Sequence, residues 1–461
     1  MSGDYSFILP ALGGNERRLA TGWLTLGIAA LVAAGLFSIL LVMARTPYIK
    51  DVIPWGNFFK TAMVVHVNLA VLMWFLPIAG LIWSFSSSDR HLIWGRLALG
   101  IAALGTVIVT LSPFAGSGEP LMNNYFPVID GPVFLIGLGV FGLGFLLLVI
   151  RSLMSVSPLG AWDKGETGLR FGVYMAVIAA AVALVALIWS YISVPASMQG
   201  TPYYEALFWG AGHVLQFTHT LLMLVGWLWM ANVSGIRVPL TPRVVGMIFA
   251  LGVMWVFLAP WIYLTEDIPS LDYTLSFTRL MYAGGGLAAV PFGLVVLWGL
   301  VFGTDPTDEQ NVFRTALTYS IALFGVGGVL GLLIQGSNTL ITAHYHGSNG
   351  AITVAFMGLC YLLLPQVGFR VPRARLANIQ LHAYGLGQFL HVLGLAWAGG
   401  YGMQRKISGS GQSLDNIQQT AGMALMGIGG LIAVIGGVLF LIVVLRAMWP
   451  TGPGERPMKS V

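Results

Sequence analysis

Twelve runs of apolar residues, each close to the roughly 20 needed to cross a hydrocarbon core, constrain this 461-residue chain more than anything else in it. They lie at about 22–44, 61–85, 94–112, 131–151, 171–193, 206–232, 243–264, 279–302, 315–334, 340–365, 381–401 and 420–447. Little sequence remains between them for a water-soluble domain. The expectation is one polytopic domain over residues 1–461, an all-α membrane protein of twelve transmembrane helices, because backbone polar groups at hydrocarbon depth must be satisfied within helices. With 57% hydrophobic and only 8% charged residues, an ordinary soluble protein is excluded.

Charge placement sets the expected orientation. With the amino terminus in the cytoplasm and sides alternating, Arg45, Lys50, Lys60, Arg279, Arg405 and Lys406 fall outside. The other sixteen of the 22 lysines and arginines fall inside. That bias follows the positive-inside rule and supports an even number of spans in a bacterial or archaeal cytoplasmic membrane. The net charge of +5 is thus a topology signal, and lipid, not nucleic acid, is the expected surroundings. The lone cysteine, Cys360, lies within a span. It excludes a disulfide framework, a covalent C-x-x-C-H haem and a multi-cysteine cluster in this chain. Any such electron-entry centre belongs on a partner.

Against this apolar background the histidines stand out. ITAHYHGSNGAITVAFMGLCYLLLP, residues 341–365, places His344 and His346 two positions apart in one helix. At about 100° per residue they point roughly 200° apart, so they cannot share one metal. Imidazoles at hydrocarbon depth are costly and usually mark a site, so this helix is expected to serve two separate haem or metal sites. His66, in VVHVNLAVLMWFLP, and His213, in FWGAGH, are read as ligands in preference to hydrogen-bonded core histidines. His219 faces about 240° away from His213 and fits either role. His382 and His391 share the helix at 381–401, and His91 beside Arg90 has no assigned role.

Two other segments bear on the site. The helix at 243–264 ends WIYLTEDIPS, with Glu266 and Asp267 either solvated or available as ligands. The loop GSGEPLMNNYFPVID, between the third and fourth helices, either covers an outer-facing site or simply connects. Helix directions put His66, His213, His344, His346 and Glu266 in one layer, in the outer third of the membrane.

With these residues in place the chain resembles subunit I of the haem-copper oxidase and nitric oxide reductase superfamily, across all twelve helices. HVN at His66, GH at His213, AHYHG at His344 and His346, and MQRK at Arg405 and Lys406 carry the resemblance by their order along the helices. The resemblance implies two haems. His66 and His346 would ligate a low-spin haem from both faces, His344 a high-spin haem from one face, and Arg405 and Lys406 would neutralise propionates. His213 would be one ligand of a non-haem copper or iron. The family's adjacent histidine pair on helix 7 is missing: one correspondence puts Thr265 and Glu266 there, another Trp261 and Ile262. His213 with Glu266, helped by Asp267 or His219, is a harder donor set that suits iron better than Cu(I). Phe217 stands where oxidases carry a cross-linked tyrosine, and no lysine lies well within a span.

The function implied is a haem-bearing catalytic subunit of a respiratory oxidoreductase. It would accept electrons from a subunit with a c-type haem or copper centre, with cytochrome c or quinol as donor, and reduce a small gas. The lean is toward nitric oxide over dioxygen. An electron-transfer or scaffold subunit that binds haem without the non-haem metal is the alternative, and a secondary transporter, which needs no haem, is a third.

Overall fold

A computed structural model describes residues 5–45, 58–115, 118–405 and 414–449. Lys50, Lys406, Arg456 and Lys459 lie outside the described residues. The chain is overwhelmingly helical. α1 spans Gly14–Arg45, and the second run becomes α2 Phe58–Val67, a π-turn Asn68–Leu72 and α3 Met73–Ser84. Then come α4 Leu92–Ala115, strands β1 Glu119–Leu121 and β2 Val128–Asp130, α5 Pro132–Met154, α6 Gly165–Ser193 and α7 Gly200–Val233. The seventh run breaks into α8 Pro242–Val253, a 3-10 turn Met254–Phe257 and α9 Leu258–Thr265. α10 Leu271–Gly284 and α11 Ala289–Phe302 form the eighth, followed by α12 Asp308–Leu332, α13 Thr339–Leu363, α14 Ala374–Gly400 and α15 Ile417–Met448.

These elements make twelve crossings. Among the described residues, ten helical stretches are long and apolar enough to span a membrane by composition. The other two, α13 and α14, are 25 and 27 residues long and carry four of the histidines. Such polar content is what a span that lines a site shows.

The chain clusters into two compact units. One holds residues 9–222 and 242–289, the other 1–8, 223–241 and 290–461. In the first, α1 crosses α3 closely because Gly80 has no side chain: a Cβ there would lie 2.6 Å from the Trp23 ring. The π-turn directly after His66 changes the phase of the helix, and such insertions recur at functional sites.

In the second unit, α14 and α15 pack backbone against backbone. A Cβ on Gly387, Gly394, Gly429 or Gly436 would meet the facing helix's backbone nitrogen at 2.3 to 2.4 Å. Their seven-residue spacing keeps the glycines on one face, and small residues of this kind let membrane helices approach without a hydrophobic driving force. Elsewhere in this unit Arg314 is buried, and its guanidinium donates to the carbonyls of Ser234 and Thr304, at 3.0 and 2.6 Å.

Candidate functional site

The two imidazoles of α13 face different neighbours, as their rotation requires. His344 turns toward α12, where its Nδ1 lies 2.7 Å from the Gly327 carbonyl oxygen. His346 turns toward α14, with its ring centroid 4.7 Å from that of His391. The first contact is possible because α12 and α13 cross at glycines. A Cβ on Gly327 would meet Ser348 N at 2.8 Å, and one on Gly331 would meet His344 Nδ1 at 2.7 Å.

A carbonyl oxygen can only accept, so Nδ1 of His344 carries the proton and Nε2 keeps its lone pair. His66 and His213 repeat the arrangement. His66 Nδ1 lies 2.9 Å from Ala34 O and 3.2 Å from Ser38 Oγ, both on α1, and His213 Nδ1 lies 2.7 Å from Trp209 O. Fixing the tautomer and the ring plane through the outer nitrogen is how metal-bound histidines are usually supported. The donor chemistry at His66 and His344 therefore fits haem iron, which Nε2 could coordinate.

His213 sits in different company. Its ring lies 4.7 Å from Trp209, 5.0 Å from Tyr125 and 5.8 Å from Phe277, centroid to centroid. Glu266 caps α9 through its backbone N–H, which donates to Ile262 O at 2.9 Å, and its carboxylate makes no hydrogen bond or ion pair among the described residues. His219 is buried, its Nε2 has no hydrogen-bond partner among the described residues, and its ring meets the Phe75 ring at 5.1 Å. Among the described residues no three His, Cys, Asp or Glu side chains converge, so the surroundings of His213 do not fit a multi-ligand non-haem metal.

Several neighbours of His213, Tyr125 and Tyr273 among them, are not singled out by the sequence. The loop between α4 and α5 is a β-hairpin, with Glu119 opposite Asp130, and it holds Tyr125 against His213. Three anchors fix it: Asn68 Nδ2 donates to Pro127 O at 2.7 Å, Tyr204 Oη donates to Asp130 at 2.8 Å, and the Asn124 backbone N–H donates to Glu205 at 2.9 Å. Burial and the nearby Glu205 charge push the Tyr125 phenol well above its ordinary range, which keeps it protonated. Below it, Tyr263, Tyr273 and Ser190 share their hydroxyls, with Ser190 Oγ 2.7 Å from Tyr263 Oη. The Gly210 backbone N–H donates to Tyr273 Oη at 3.2 Å. The signals were Gly210 and Gly212, where a Cβ would strike Tyr263 Oη and the Tyr125 ring at 2.2 and 2.3 Å.

Arg405 lies beside the start of α13. Its Nε donates to Ser337 Oγ at 3.2 Å, and Thr339 N donates to Met403 O at 2.9 Å. That puts it roughly 9 Å along the helix axis from the His344 position, at 1.5 Å per residue. His382 Nδ1 lies 3.2 Å from Tyr319 Oη.

Comparison with known proteins follows the same lines. Over residues 18–439 the chain matches the family described as cytochrome c and quinol oxidase polypeptide I. An uncharacterized protein of Rickettsia prowazekii is 29% identical across 94% of this chain and 97% of its own length. Another of Aquifex aeolicus is 28% identical across 75% and 85%. Among solved structures, a heme-copper terminal oxidase dimer matches with a TM-score of 0.72 at 14% identity, covering 97% of this chain and 87% of that one. That likeness establishes the fold. With the family match spanning nearly the whole chain and the helices as described, this protein is an integral membrane member of the cytochrome c and quinol oxidase polypeptide I family, an oxidoreductase subunit.

Proposed function

We propose that this chain is the haem-bearing, gas-reducing subunit of a respiratory oxidoreductase, with its amino terminus in the cytoplasm of a bacterium or archaeon. His66 and His346 would hold a low-spin haem, and His344 would hold a high-spin haem. The carrying observation is that His66 and His344 each have Nδ1 tied to a backbone carbonyl, which leaves Nε2 as the coordinating nitrogen. Bound haem would supply one-electron storage and, on His344, an open coordination position for a small gas.

The chain's own groups do the rest. Gly327 O and Ala34 O hold the imidazole planes. Arg405 offers positive charge to haem carboxylates near the start of α13. The hairpin anchored by Asn68, Tyr204 and Glu205 closes over His213 with Tyr125 and excludes water there. Electrons come from a partner with a c-type haem or copper centre, fed by cytochrome c or quinol, because one buried cysteine cannot build such a centre here.

Nitric oxide is favoured over dioxygen as the gas. Phe217 is buried where oxidases carry their tyrosine, and in one of the two correspondences a helix-end carboxylate, Glu266, takes the place of a histidine. A second reading is favoured by one observation: the aromatic surroundings of His213, with no three-ligand group among the described residues, suit an electron-transfer subunit that keeps haem without a further metal.

Metal analysis of the purified protein, joined to consumption of nitric oxide or dioxygen with a reduced donor, separates these readings. Two haems and turnover of nitric oxide support the first. Haem alone with no gas consumed supports the second, and haem-free protein would remove both.

A further inference from the structure

α14 carries two imidazoles, and they face opposite ways. Nine positions separate His382 from His391, which at about 100° per residue is half a turn. His391 turns toward α13, its ring 4.7 Å from that of His346. His382 turns toward α12, where its Nδ1 lies 3.2 Å from Tyr319 Oη, and its side chain is exposed. Gly385 seats the Tyr319 ring, since a Cβ there would strike it at 2.2 Å. Tyr319 and Nδ1 share one hydrogen. Nε2 is left to donate or accept, and it has no hydrogen bond among the described residues.

Depth makes this costly. His382 stands eight residues beyond Ala374, the first residue of α14, which is roughly 12 Å along a membrane-crossing helix. Ile379 and Leu386, one turn to either side of it, are exposed and apolar. An imidazole nitrogen open to hydrocarbon lacks the water that would satisfy it, and such a group marks a site. One turn nearer the helix start, Asn378 lies on the same face. Its Oδ1 accepts from Thr315 Oγ1 of α12 at 2.6 Å, and its Nδ2 has no hydrogen bond among the described residues. Two polar groups are thus set roughly 6 Å apart along the seam of α12 and α14.

A further helix matches this face poorly. Small residues let membrane helices approach, but the exposed positions here hold isoleucine and leucine, and Gly385 is already covered by the Tyr319 ring. A flat ring with an oxygen at each end and an apolar tail matches it well. We propose that His382 and Asn378, with Tyr319 behind His382, bind the headgroup of a membrane-soluble quinol or its quinone, and that the tail lies along Ile379 and Leu386. This rests on the reading of the chain as a respiratory subunit with quinol as a donor, and it gives that donor a place on this chain. From there α14 runs roughly 13 Å along its axis to His391, against His346.

The test is equilibrium binding of a radiolabelled, decyl-tailed benzoquinone to the purified full chain in detergent, with an aryl-azide derivative for photolabelling. His382→Phe and Asn378→Ala should each weaken binding about tenfold, the loss of one hydrogen bond. His382→Gln, which still donates and accepts, should keep most of the affinity, and Tyr401→Phe, exposed at the far end of α14, should bind as wild type. The azide should label peptides of α12 or α14 in the wild-type chain, a readout that stands if a variant fails to accumulate. Haem-loaded wild-type protein that binds no quinone, equal affinity in His382→Phe and Asn378→Ala, or label elsewhere in the chain overturns the proposal. A photoreactive residue at Ile379 that cross-links in membranes to another protein or to a second copy gives the face to a partner and overturns it equally. Haem-free protein that still binds the quinone at α12 and α14 defeats the wider reading and leaves this site standing.

Discussion

Replacing Gly331 with alanine isolates the role of His344 without touching it. A Cβ at this position would lie 2.7 Å from Nδ1 and 2.8 Å from Cε1 of His344, whereas ordinary contact begins near 3.4 Å. The imidazole must therefore retreat by roughly 0.7 Å, away from α12. It cannot do so and keep the 2.7 Å contact with Gly327 O. Overpacking of this kind costs about 1–3 kcal/mol, and the lost hydrogen bond adds about 1 kcal/mol. Gly328→Ala is the control on the same helix, because nothing lies within 4 Å of its added Cβ. In a carbon monoxide difference spectrum of the reduced protein, Gly331→Ala should lose most of the shifted band or bind the gas with altered kinetics, and Gly328→Ala should match wild type. Equal spectra from both variants, each folded and haem-loaded, would refute the claim that α12 positions His344.

Other perturbations follow from the same geometry. Gly429→Ala should lower the thermal midpoint in detergent by the equivalent of about 1–3 kcal/mol through backbone overpacking of α14 on α15. Gly427→Ala, with open space around it, should be neutral or stabilising by up to about 1 kcal/mol, since alanine is the better helix former. Asn68→Ala strips the donor from Pro127 O and should cost about 1–3 kcal/mol, read as faster amide exchange through Glu119–Asp130. Unchanged exchange there would count against the hairpin as an anchored roof. Arg405→Gln removes a positive charge near the start of α13. It should lower a haem midpoint potential if Arg405 faces haem carboxylates; no change in either haem's potential would place it on headgroups instead.

How far the sequence could be read divides along a physical line. Long-period features were legible: twelve crossings, the helix α13 with its two histidines, and the opposed directions of His344 and His346, because helical rotation alone sets them. Features that depend on which helix meets which were not. Nothing local in His391 says that it faces His346; that follows from the glycines of α15, whose spacing was visible but whose partner was not. The sequence does not decide between lid and connector for the hairpin, because six residues separate its short strands and its anchors, Asn68, Tyr204 and Glu205, come from distant segments. The π-turn after His66 and the 3-10 break at Met254–Phe257 left the apolar pattern intact, so hydropathy could not reveal them. Around His213 the sequence points to carboxylates and histidines, whereas the ring's neighbours are aromatic.

The central claim is that this chain holds one haem closed at both faces and one open to a gas. The visible spectrum of the purified, dithionite-reduced protein, recorded before and after carbon monoxide, tests it most directly. The account predicts a sharp low-spin band that carbon monoxide leaves in place, together with a Soret component that it shifts. A spectrum with no Soret absorption, or with haem that carbon monoxide does not perturb at all, would contradict it.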